Sequence, residues 1–326
     1  MPSIYRTCVS TALVFALAVP VAFAQTPNYP IRSIRILVGY PPGGATDIVA
    51  RVVGSALSVR LGQPIVIENR AGSASNIAAA EVARAEPDGY LLLHGPDNLF
   101  LTNPHIYRDN MPLDPLRDLA LVSSLTANQL TLAAHPSVKA NNLREFVELA
   151  RTSKPPLFYA SIGNGSMHHI GMEILKQHLN IDLTHVPYKG GGPAGAGLLA
   201  GDVQVMFGGG SVLPMINAGK VRALGTTGAK RSSILPDLPT IGEIFPGYEV
   251  FIWHGTFAPA KTPPPILDRL HREITAALQQ PEVGERLIKS GAGEPYMTAR
   301  EEFSARIRSD SAKFGKVIST LGIKSE

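Results

Sequence analysis

This chain of 326 residues has a single cysteine, a single tryptophan and no run of like charge. Cys8 falls ahead of a predicted processing site, so the mature chain is expected to have neither a disulfide nor thiol chemistry. Basic and acidic residues nearly balance, 30 against 26, and the basic ones are scattered with few aromatics beside them. That pattern argues against a nucleic-acid partner. Past the N-terminus no apolar run approaches the roughly 20 residues that cross a bilayer, so stable membrane insertion is not expected. The phosphate-cradling string G-x-x-x-x-G-K-[ST], the serine elbow G-x-S-x-G and the zinc pair H-E-x-x-H are all missing. Gly195 to Ala200 fits G-x-G-x-x-A but follows Pro193 rather than a strand, which is the wrong context for a dinucleotide. No metal, cofactor or catalytic residue is therefore expected, and packing or capping is the expected role of His169 and His178.

At the start of the chain Arg6 is the lone charge in the first 31 residues. The apolar run Thr11 to Ala22 follows it and ends in Ala22-Phe23-Ala24. A basic n-region, an apolar h-region and an A-x-A site together read as a signal peptide over residues 1–24, removed before Gln25. The mature chain would be periplasmic. Removing residues 1–24 takes away Arg6 and leaves 302 residues with 29 basic and 26 acidic side chains. At that length two lobes of ordinary size are the default expectation.

The rest of the chain alternates short β-rich runs with helical patterns. Ile34 to Val38 reads as a strand, and Thr46 to Leu61 as a helix whose apolar stripe runs through Val49, Val52, Val53 and Leu57. Gly62 and Pro64 stop that helix. Ile65–Ile67, Tyr90–Leu93, Leu157–Ala160, Leu183–Val186, Val203–Phe207 and Val221–Gly225 read as further strands, with helices between most of them. The alternation predicts an α/β chain with mostly parallel sheets flanked by helices. Two strand-like stretches, Leu119 to Ala134 and Tyr248 to Ala258, are too long for ordinary strands of about 5 to 6 residues. They read as crossovers between lobes, placing lobe 1 at 25–124 plus 252–326 and lobe 2 at 125–251. A single large sheet is the alternative.

Gly/Pro/Ser-rich loops at 39–45, 69–75, 161–166, 187–192 and 208–211 each follow a predicted strand and precede a helix. Ligands of open α/β sheets bind at that edge, and helix N-termini there offer amides and a favourable dipole to an anion. Two such edges facing each other form a receptor for a carboxylate.

The motifs on these loops resemble the tripartite tricarboxylate transporter substrate-binding family, also called Bug receptors. Tyr40-Pro41-Pro42-Gly43-Gly44-Ala45-Thr46-Asp47 carries the resemblance first, then Leu61-Gly62-Gln63-Pro64 and Pro87-Asp88-Gly89-Tyr90. Gly163-Asn164-Gly165-Ser166, His185-Val186-Pro187-Tyr188-Lys189-Gly190 and Leu235-Pro236-Asp237-Leu238-Pro239-Thr240 extend it through the mature chain. The resemblance implies a two-lobed type II periplasmic-binding-protein fold joined by two crossover strands. It also implies a monomer that closes on a small carboxylate and delivers it to small and large membrane subunits; a module sensing carboxylate for a membrane kinase is the alternative. By the same resemblance Gly43, Gly44, Ala45 and Thr46 hold a carboxylate through backbone amides, with Asp47 bracing the loop. Tyr40 and Pro42 lie beside them, Ser73 and Asn76 add polar contacts, and Gly165, Ser166 and His168 face them from the second lobe, where Tyr188 and Gly190 wall the cleft. At Gly208, where relatives commonly carry an acidic or amide side chain, this chain has no partner for a ligand ammonium. A dicarboxylate or aromatic acid lacking an amino group is the expected ligand.

Overall fold

The computed structural model describes residues 29–108, 110–210 and 212–323, so the predicted signal peptide lies outside the described residues. Eleven strands are described: β1 (Ile34–Val38), β2 (Ile65–Asn69), β3 (Leu91–Pro96), β4 (Leu119–Gln129), β5 (Thr131–Ala134), β6 (Leu157–Ser161), β7 (Leu183–Pro187), β8 (Val205–Gly208), β9 (Arg222–Thr226), β10 (Phe251–Pro259) and β11 (Glu294–Pro295). They form two sheets, one ordered β11-β4-β10-β3-β1-β2 and the other β7-β6-β8-β5-β9. Each sheet is the centre of one lobe, which gives the two-lobed α/β architecture in place of a single sheet.

The sheets are mixed. β1 pairs in parallel with β2 and β3, and β6 with β7 and β8. These are the strands that the strand–helix alternation announces, because a helix must carry the chain back before the next parallel strand. β4 and β10 instead run antiparallel to each other and to their neighbours, and β5 is antiparallel to β8 and β9. Here the chain leaves one lobe for the other: Leu119–Ala134 is continuous extended chain apart from Leu130, and Val250 leads from the second lobe into β10 with its amide on the Thr227 carbonyl at 2.8 Å. Two register shifts in the β4–β10 ladder flank Gly255 and Thr256, next to His254. Bulges of this kind re-aim side chains and recur beside functional sites.

Helix Ala45–Leu61 buries Val49, Val52, Val53, Leu57 and Leu61, and Gly62 ends it in the left-handed conformation at φ 65°. Burying those five side chains contributes on the order of 10 kcal/mol before chain entropy is set against it. Helix Leu143–Thr152 starts at Asn142, whose side chain accepts the Glu145 amide at 3.0 Å. Glu145 reaches back to the Asn141 amide at 2.7 Å, one residue earlier than a regular capping box. One apolar core cluster runs through both lobes by way of Leu130, Trp253 and Phe257. The C-terminal helix Arg300–Leu321 buries Phe303, Ile307, Phe314 and Ile318.

Candidate functional site

A cavity of about 460 Å³ lies between the lobes. Three helix N-termini converge on it. The helix Ala45–Leu61 presents Gly44, Ala45 and Thr46 from the first lobe; helices Met167–Leu179 and Gly191–Ala200 present Ser166 to His168 and Gly190 to Pro193 from the second. The amides of Gly44, Ala45 and Thr46 have no protein acceptor among the described residues, as expected of a first helical turn. The walls between these N-termini are largely apolar, with Ile48, Met167, Met215, Ile252 and Trp253.

Of the residues named from sequence, Tyr40, Pro42, Gly43, Gly44, Ala45, Thr46, Ser166, His168 and Gly190 line this cavity. Asp47 stands behind it and braces the loop: its carboxylate accepts the Gly43 amide at 3.0 Å, Asn69 Nδ2 at 2.9 Å and Arg51 Nε at 2.9 Å. Burial works against its charge, yet these hydrogen bonds keep the carboxyl below its ordinary pKa. The Gly43 N–H is thereby committed inside the loop and is withdrawn from the amides open to a ligand. Its φ of +85° explains why glycine stands there.

The other five lie elsewhere. Ser73 is exposed, and Asn76 is buried with its Oδ1 accepting Asn103 Nδ2 at 2.7 Å. Their loop forms an under-layer, in which Asn98 and Asn103 both donate to the Ala74 carbonyl, at 3.1 and 2.9 Å. The Gly165 carbonyl accepts Thr102 Oγ1 at 2.6 Å, a tie between the lobes. Tyr188 packs its ring against Gly197, and Gly208 packs against Val212, leaving Gly209 and Gly210 to line the cavity.

Three contributors escaped the sequence reading. His254, on β10, lies between Thr46 Oγ1 at 3.3 Å and Thr126 Oγ1 at 3.1 Å, and stacks on His94 with ring centres 5.5 Å apart. Burial lowers the pKa of His254, and of His168, to about 4, so both are neutral near pH 7. His168 Nδ1 is buried without a hydrogen-bond partner among the described residues. Asn98 accepts the Tyr40 hydroxyl at 3.2 Å. Asp97, just past β3, lines the cavity, so the bare backbone at Gly208 does not leave the cavity without an acidic residue. The signal was available: the loop after β3 also lies at a strand C-terminal edge, but the strand read from sequence ends at Leu93, three residues short of Pro96.

One pair has the look of a nucleophile and base: Ser161 Oγ lies 2.7 Å from His185 Nε2. Ser161 is wholly buried, its hydroxyl is also shared with the Gly163 amide at 3.1 Å, and neither residue lines the cavity. The pair shapes the 161–166 loop, as does His169, which accepts the Gly165 amide at 3.1 Å and stacks on His185. Among the described residues no cluster of three or more His, Cys, Asp or Glu side chains could hold a metal, and no helix is long and apolar enough to cross a membrane.

Comparison with known proteins agrees with this geometry. A "UPF0065 protein" of Bordetella bronchiseptica is 32% identical over 98% of this chain and 94% of its own length. Among solved structures, a protein of R. palustris "with adipate" superposes with a TM-score of 0.83 at 32% identity, covering 91% of this chain and 99% of that one. MatC from Rhodopseudomonas palustris "with bound malate" superposes at 0.80 with 31% identity, covering 89% and 100%. The profile described as "Tripartite tricarboxylate transporter family receptor" matches residues 49–323. With its two lobes, two crossovers and interlobe cavity, the chain belongs to the tripartite tricarboxylate transporter receptor family, and it is a solute-binding receptor rather than an enzyme.

Proposed function

We propose that this chain, exported by the signal peptide over residues 1–24, captures a small carboxylate between its lobes and delivers it to the small and large membrane subunits of a tripartite transporter. The observation that carries the ligand class is the convergence of three helix N-termini from two lobes on one cavity of about 460 Å³. Each N-terminus contributes unpaired amides and roughly half a positive elementary charge, so an anion is the solute that the wall favours. One ligand carboxylate sits on the amides of Gly44, Ala45 and Thr46, with Ser166, His168 and Gly190 facing it across the cleft. Relatives with adipate and with malate support a diacid, and the apolar walls support an aliphatic or aromatic body without an amino group. The lobes divide at 125 and 252, and closure bends the crossovers there. The family match favours transport over the sensing alternative.

A thermal-shift panel of mono-, di- and tricarboxylates, with amino acids as controls, tests the reading. A carboxylate at about 100 times its Kd should add about 2.7 kcal/mol of stability. If every carboxylate leaves the melting temperature unmoved while a nucleotide or a metal ion raises it, the reading is wrong.

A further inference from the structure

Among the described residues Asp97 is the one acidic residue that lines the cavity. It is 3% exposed. Its Oδ2 accepts the Trp253 amide at 3.2 Å, and its own amide donates to the Trp253 carbonyl at 3.1 Å, which pins it to the crossover strand. Among the described residues no ammonium or guanidinium stands beside it to balance its charge. The titratable groups around the same cavity are His94 from β3, His254 from β10, Tyr40 from the loop before the first helix, His168 from the second lobe and the exposed ammonium of Lys189 at the rim. Burial keeps Tyr40 protonated and the three histidines neutral, so none of them offers Asp97 a counter-charge within the cavity.

A buried carboxyl without a cation is neutralised either by a proton or by a charge that the ligand brings. Burial already holds the Asp97 pKa at about 7. An anion seated on the helix N-termini of the same cavity pushes it further up, because like charges in one site cannot both stay ionised. We propose that Asp97 meets the ligand as the neutral acid and donates a hydrogen bond to a ligand carboxylate, so that the receptor takes up one proton from solvent for each anion it captures. The proton moves from buffer to an Asp97 oxygen, and no bond of the ligand changes. The inference rests on the carboxylate reading above and assigns that site a group whose protonation is coupled to ligand capture. A ligand ammonium would demand the opposite, an ionised Asp97, so the residue also decides between anionic and zwitterionic solutes.

Isothermal titration of the mature chain with acetate, benzoate, succinate, malate and adipate, between pH 6 and pH 8.5 in buffers of different ionisation enthalpy, measures the proton directly on the unmodified protein. For the tightest of these probes the expected result is uptake approaching one proton per ligand near pH 8.5. Affinity should fall by about ten-fold per pH unit above pH 7. Asp97→Asn, whose amide still donates but cannot titrate, should bind with one affinity across the whole pH range and take up no proton. Equal affinity across the range with no proton exchanged, or a proton released, overturns the inference and leaves the carboxylate reading standing. So does tighter binding of an amino acid that Asp97→Asn abolishes. If none of the probes binds at any pH, the carboxylate reading falls and the inference falls with it.

Discussion

Gly210 and Gly291 meet backbone to backbone across the cleft, so closely that a β-carbon on Gly210 would lie 2.5 Å from the Gly291 carbonyl oxygen. Gly210 follows β8 in the second lobe, and Gly291 precedes β11 in the first. No side chain fits between them, so the contact limits how far the lobes can close.

That gives the first prediction. Gly210 has no left-handed φ that an alanine would strain, so the clash of Gly210→Ala belongs to this close arrangement of the lobes and is relieved when they part. The unliganded protein should melt within a degree or two of the parent, while ligand affinity drops by about ten-fold, or about 1.4 kcal/mol. Calorimetric titration checks it, and an unchanged Kd would show that the lobes need not come this close. Gly291→Ala is the harsher change, because Gly291 also sits at φ +67°.

Thr46 and Ser166 face the same cavity but are held differently. The Thr46 hydroxyl bonds to His254 Nε2 at 3.3 Å. Thr46→Val keeps the shape and removes that partner, so a loss of about 1 kcal/mol in stability and a several-fold loss in affinity are expected. Ser166 is also the N-cap of its helix: its Oγ accepts the His169 amide at 3.3 Å and donates to the Gly163 carbonyl at 2.7 Å. Ser166→Ala should therefore cost about 1 kcal/mol of stability through the cap alone. Urea unfolding read alongside ligand titration separates the two effects. Full ligand response in a bulky Thr46→Leu variant would remove the loop from the binding site.

Asp47 should matter without touching the ligand. Asp47→Ala releases the Gly43 amide, Asn69 and Arg51 together. A loss of about 2 kcal/mol is expected from a multiply bonded buried carboxylate, with weaker ligand binding because the loop is no longer fixed. Asp47→Asn should recover part of both. Equal binding by the alanine variant in native-state titration would show that the loop holds its shape unaided.

Much of this arrangement was legible in the sequence, for physical reasons that also set the limit. Strands β1, β2, β6 and β7 and the helices after them show in local pattern, because a helix buries residues at a spacing that one segment displays. The loop Gly43–Thr46 falls at a strand edge by the same logic. The pairing of β4 with β10 does not show, since residues 119–129 and 251–259 meet only through tertiary folding. Nor do the helices Asn98–Leu101 and Asn103–Ile106, each too short to display a period and tied down by the Thr102 bond to Gly165. Helix Pro281–Lys289 is missing from the sequence reading, although proline suits a first helical turn. Asp97 and His254 reach the cavity only because β3 and β10 pair, with His254 opposite Pro96.

The buried histidines predict how stability depends on pH. His168, His169 and His254 have pKa values lowered to about 4 in the folded chain, burial being the first cause in each, against about 6.5 unfolded. The folded state thus holds fewer protons than the unfolded state between those values, and stability falls as pH drops from 6.5 toward 4. The stabilisation is complete above pH 6.5. At pH 5 each histidine should have removed about 2 kcal/mol, and the losses are smaller where the protein relaxes to let water in. Asp97 has the opposite sign over pH 4 to 7, since its raised pKa makes the folded state the better proton binder, so Asp97→Asn should steepen the decline below neutrality. Urea unfolding at pH 7.5, 6 and 5 without ligand measures the slope. His169→Gln should flatten it, because His169 is held by the Gly165 amide at 3.1 Å, a bond a neutral side chain can replace. Stability that stays level down to pH 5 in both proteins would mean that these rings protonate in the folded state as readily as in water.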